Sequence, residues 1–81
     1  MTIRLTIRLF GTLGLKVPGY DYKKGMSVDL PDGATPEDIL KDLQIPLSHI
    51  GSISNGKNSL QRDSLLTDGQ TINFFPLISG G

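Results

Sequence analysis

The chain begins with a strict alternation. Ile3, Leu5, Ile7 and Leu9 fall on one parity, and Arg4, Thr6 and Arg8 on the other. A period of two predicts a half-buried strand over Ile3–Phe10. The alternation returns through Met26, Val28 and Leu30 and stops at Pro31-Asp32-Gly33, a turn signal. Between the two runs, Gly11–Lys24 carries Gly14, Pro18 and Gly19 and no period. A long loop is expected there.

The period then changes. Thr35-Pro36-Glu37-Asp38 reads as a helix start. Thr35 can cap free backbone N–H groups, Pro36 suits the first helical position, and Glu37 and Asp38 complement the positive end of the helix dipole. Ile39, Leu40 and Leu43 share one face, and Pro46 is expected to end a helix of roughly two turns. A short strand is predicted around Ile53. It is followed by a turn at Asn55-Gly56, where both residues tolerate positive φ, and by a brief return strand over Ser59–Gln61. Leu65 and Leu66 lead into a turn at Thr67-Asp68-Gly69. Thr71–Phe75 is the last strand, with Ile72 and Phe74 inward, Phe75 outward and Pro76 as its stop. A hairpin, a helix across it and a late strand predict an α+β roll with one main helix packed on a mixed sheet. The last strand is expected beside the first, with one domain over 1–76 and a flexible tail over 77–81.

Composition narrows the chemistry. The 81 residues suffice for one modest core, with 37% apolar residues. There is no cysteine and a single histidine, His49. Disulfides, thiolate metal sites and a cysteine nucleophile are therefore excluded. Eight basic residues balance eight acidic ones, so neither nucleic acid nor a membrane surface is indicated as a partner. The start of the chain lacks the apolar stretch of a signal peptide, and a cytoplasmic protein is expected. Few of these side chains could perform chemistry unaided.

The remaining candidate is the tail, Leu77-Ile78-Ser79-Gly80-Gly81. Two glycines make the thinnest peptide and can thread a narrow channel into another protein's active site. The carboxylate on Gly81 would then present an unhindered carbonyl carbon. A carboxylate has no leaving group, but transfer to AMP from ATP supplies one, and the acyl-adenylate could accept sulfur. Two terminal glycines arise by chance in roughly one chain in two hundred, so the context carries more weight than the pair.

That context is the run Leu66-Thr67-Asp68-Gly69-Gln70-Thr71-Ile72-Asn73-Phe74-Phe75-Pro76-Leu77-Ile78-Ser79-Gly80-Gly81. It resembles the C-terminal signature of the MoaD/ThiS sulfur carriers: a Leu-x-Asp-Gly-Asp turn, an apolar strand, a Phe-Pro step and a terminal Gly-Gly. Gln70 stands where the pattern has an acidic residue, and Leu77 where a second proline is common. The resemblance implies a ubiquitin-like β-grasp fold. It also implies adenylation of Gly81 by an E1-like enzyme using ATP, with sulfur supplied by a sulfurtransferase, and a carrier that is not itself an enzyme and holds no cofactor. Length and the Phe74-Phe75-Pro76 step look most like the small subunit of molybdopterin synthase, whose large subunit would then be the partner. Ile45–Ser54 is short for that branch. A carrier for thiamine thiazole, with thiazole synthase as partner, or for another sulfurated metabolite is the alternative. A protein modifier that forms isopeptide bonds to lysines and an inert binding module are further ones.

The strand end before the tail offers candidates for partner contact. Phe75 is a candidate docking anchor beside the tail, with Pro76, Leu77, Ile78, Ser79 and Leu60 at lower weight. A solvated face is expected for Arg4 and Arg8. Asp68 is best explained by its turn, and His49 by a loop.

Overall fold

The computed structural model describes residues 1–77. The alternating first run forms β1 (Thr2–Leu9), with Leu5 and Ile7 fully buried. It pairs antiparallel with β2 (Met26–Pro31). The helix α1 spans Pro36–Leu43. Next come β3 (Ile50–Ser54), the two-residue β4 (Ser59–Leu60) and β5 (Thr71–Pro76). The five-stranded sheet has the order β2-β1-β5-β3-β4. β5 lies parallel to β1, while β3 runs antiparallel to β5 and to β4. This is the expected α+β roll, with β-grasp topology and the last strand beside the first.

Parity decides the core. Ile3, Leu5, Ile7 and Leu9 from β1 meet Ile72 and Phe74 from β5, Val28 and Leu30 from β2, and Ile39 and Leu40 from α1. The helix start is built as expected. The Thr35 hydroxyl accepts from the Asp38 N–H at 3.3 Å, and the Asp38 carboxylate accepts from the Thr35 N–H at 2.9 Å, a reciprocal cap. The next free donor, the Glu37 N–H, is taken by the Arg62 carbonyl at 3.0 Å.

Three local expectations change. The helix has about the two turns expected, but it ends before Pro46. Gln44 adopts the left-handed conformation (φ 60°), which turns the Ile45 N–H back to the Leu40 carbonyl at 2.9 Å and buries the Ile45 side chain. Pro46 instead precedes a 3-10 turn, Leu47–His49.

Gly11–Lys24 is not a loose loop. Its first part is a 3-10 helix, Gly11–Lys16, that buries Leu13. Its second part folds back, so that the Tyr20 hydroxyl accepts from the Leu9 N–H at 2.6 Å and the Tyr22 hydroxyl donates to the Gly11 carbonyl at 2.8 Å. Gly14 makes room for both rings, since a Cβ there would lie 2.5 Å from Tyr22 and 2.9 Å from Tyr20.

At Asn55-Gly56 only Gly56 takes positive φ. Asn55 acts through its side chain, whose oxygen accepts from the Lys57 and Asn58 N–H groups.

The turn before β5 ties the sheet together. Asp68 accepts from the Arg4 N–H at 2.6 Å, and the Gly69 N–H donates to the Arg4 carbonyl at 2.8 Å. Gln70 accepts from the Thr67 N–H at 2.9 Å. An amide oxygen thus supplies the acceptor that a carboxylate would supply at that place.

Candidate functional site

β5 carries the chain toward its C-terminal end at one end of the sheet, next to the end of β1. The register pairs Leu9 with Phe74. One step on, Phe10 and Phe75 both turn to the face opposite the helix. Their rings stack with centroids 4.7 Å apart and planes inclined by 13°. Both are half-buried, so part of each ring meets solvent. Arg8, on the same face, places its guanidinium carbon 6.0 Å from the Phe10 centroid, at the outer limit of a cation–π contact.

Phe75 therefore faces outward as expected, and its neighbour there is the aromatic ring of Phe10. Phe10 was missed in the sequence. Its signal was present: it continues the outward parity of Arg4, Thr6 and Arg8, and a last strand parallel to the first brings it beside Phe75.

The other residues picked from sequence divide. Pro76 is half-buried and Leu77 is exposed at 60%. Leu60 does not join them. It sits opposite Ile53 across the β3–β4 pair, on the helix side of the sheet, and packs partly on the core. Ile78, Ser79, Gly80 and Gly81 lie outside the described residues. Leu15, exposed at 77%, lies on the Gly11–Lys16 helix, which contacts β5.

The exit of the chain is closely built. Pro76 has no N–H to donate, and opposite it β3 carries an extra residue. Ser52 pairs with Phe75 and Ile50 with Pro76, which leaves Gly51 between them as a bulge. Beyond the proline, the Leu77 N–H donates to the His49 carbonyl at 3.0 Å. An open cleft of about 210 Å³ at this end is lined by Thr12, Lys16, Ser48, His49, Pro76 and Leu77. A larger cleft, about 510 Å³, lies between the β2–α1 turn and α1. It includes Leu30 and Pro31, which pair with the start of β1, so it lies at the far end of that strand from Phe10. No residue singled out for function lines it.

The one ion pair among the described residues joins Arg4 to Asp29 at 2.9 Å, both exposed, at the other end of the outer face. The Arg4 hydrogen bond holds the Asp29 carboxyl below its ordinary range, and the same bond raises Arg4. Among the described residues no polar or charged side chain is buried. Nor is any group of three or more His, Asp or Glu residues placed to hold a metal ion. No helix of the described residues is long and apolar enough to cross a membrane.

Among solved structures, the chain is similar to the solution structure of the Haloferax volcanii HVO 2177 protein. The two share 26% identity with a TM-score of 0.75 over 99% of this chain and 88% of that one. No protein-family model and no curated protein matches the chain. The similarity supports the fold and carries no statement of activity.

Proposed function

We propose that the chain is a sulfur carrier of the MoaD/ThiS kind, working through the carboxylate of Gly81. The observation that carries this reading is the delivery of the chain, from the exposed Leu77 at one sheet end, into a sequence that finishes Ile78-Ser79-Gly80-Gly81. Four extended residues span at most about 14 Å. That is enough to reach into a neighbouring active site and too little to work without a partner docked at the sheet end.

The chemistry follows from the tail. In an E1-like enzyme, a carboxylate oxygen of Gly81 attacks the α-phosphorus of ATP and pyrophosphate leaves. A hydrosulfide equivalent, supplied by a sulfurtransferase, then attacks the acyl carbon and AMP departs, leaving a thiocarboxylate. That sulfur is nucleophilic near neutral pH and is delivered inside the partner that consumes it. The carrier contributes docking and positioning. In this reading Phe75, with Phe10, is the docking anchor beside the tail: two stacked rings offer a rigid apolar surface at low entropic cost. Pro76, Leu77, Ile78 and Ser79 line the path into the partner, and Leu60 lies away from it.

The favoured acceptor pathway is molybdopterin synthesis, on the resemblance of Phe74-Phe75-Pro76 and the chain length to the small synthase subunit. Affinity capture from the native host tests it. Recovery of the large molybdopterin synthase subunit supports that branch, and recovery of thiazole synthase selects the thiamine branch. Lysine adducts bearing a Gly-Gly remnant, with no thiocarboxylate, would replace the carrier reading with a protein modifier.

A further inference from the structure

We propose that Gly51 and Gly11 form a clamp on the tail root, and that Gly51 is a positioning residue for activation of the tail. The inference rests on the carrier reading.

Two elements distant in sequence approach the same proline, each through a glycine. On the β3 side, a Cβ on Gly51 would lie 2.7 Å from the Pro76 carbonyl oxygen and 3.0 Å from the Leu77 Cα. Both are backbone atoms and neither can swing aside. On the β1 side, Gly11 has φ +59°, and a Cβ there would lie 2.8 Å from the Pro76 Cγ. Gly11 is itself held by the Tyr22 hydroxyl at 2.8 Å. The bulge at Gly51 absorbs the missing N–H of Pro76, and pairing resumes with Leu77 on the His49 carbonyl at 3.0 Å. Among the described residues, the last anchored backbone group is thus one residue past the proline that would otherwise end the strand.

An anchored root does for a short tail what a fixed hinge does for a lever. With Leu77 held, the four residues that follow start from one point and one direction relative to the Phe10–Phe75 face. A partner docked on that face meets the carboxylate within a small volume. Freeing the root spreads the carboxylate over a larger volume and lowers its effective concentration at ATP, without altering the docking surface. Misplacement by about 1 Å can cost 10²-fold in rate.

The test is Gly51→Ala, with Gly11→Ala as a second variant from the other side in case the first fails to fold. In the free protein, hydrogen exchange at the Leu77 amide should quicken about tenfold or more, while the Leu5 and Ile7 amides stay protected. With the cognate E1-like enzyme and ATP, kcat for pyrophosphate release should fall about tenfold, and KM for the carrier should stay within about twofold. A general loss of folding would speed exchange everywhere and raise KM, so the split identifies positioning. An unprotected Leu77 amide in the unaltered protein overturns the clamp. So does an unchanged kcat in a variant whose Leu77 amide has been freed. If the unaltered protein is no substrate for the enzyme, the carrier reading fails, and the exchange measurement still decides the clamp.

Discussion

The ring of Phe75 lies nearly flat on that of Phe10, 4.7 Å between centroids. The two residues are distant in sequence and meet only because β5 runs parallel to β1. The stack sits on the solvent side of the sheet, where it is not needed to close the core. A double-mutant cycle on Phe10→Ala and Phe75→Ala should give a coupling of about 0.5–1.5 kcal/mol in denaturant unfolding. Either single change should weaken binding of the activating enzyme about tenfold or more, measured by calorimetry, if the stack is the docking anchor. Unaltered binding would place the interface elsewhere.

The core behaves differently. Phe74, one position away and fully buried, packs among Leu9, Ile39 and the rest of the cluster. Phe74→Ala should cost about 3–5 kcal/mol by equilibrium unfolding. Removing Gly80 and Gly81 should leave the unfolding midpoint unchanged, because the core cluster ends at Phe74 among the described residues.

Much of this arrangement was legible in the chain. The parity of Ile3 to Leu9 and of Ile72 and Phe74 is a local property, and so is the Thr35-Pro36 helix start; all three formed as read. What escaped was set by contacts across the sequence. Leu13 is buried because Tyr20 and Tyr22 fold the segment onto the end of β1, and no local period announces that. The helix stops at Gln44 because Ile45 finds a place in the core, before Pro46 can act. Leu60 looked like a surface residue until β4 was paired with β3, which set its face. The bulge at Gly51 answers a proline on another strand. The outward pair was half legible: Phe75 stood out beside the proline, while Phe10 was hidden as the last residue of a pattern read for its buried side.

The helix cap offers a second stability test. Thr35→Ala removes the acceptor for the Asp38 N–H and half of the reciprocal bond. A loss of about 1 kcal/mol is expected in chemical denaturation, with Thr35→Ser close to neutral.

The Arg4–Asp29 pair predicts a pH effect of definite sign. Asp29 titrates below its ordinary value because Arg4 hydrogen-bonds its charged form. Its small contribution to stability is present above the unfolded carboxylate range and is lost as pH falls through the lower folded value. NMR titration should find the Asp29 midpoint depressed, and Arg4→Ala should move it back up. An unshifted midpoint would mean that the exposed pair does not persist in solution.

A sulfur carrier must take sulfur onto the carboxylate of Gly81. Intact-mass spectrometry of the protein after incubation with its E1-like enzyme, ATP and a sulfur donor tests this most directly. One oxygen should be exchanged for sulfur, located in the C-terminal peptide and absent when Gly81 is deleted. An unchanged mass with all three components present would contradict it.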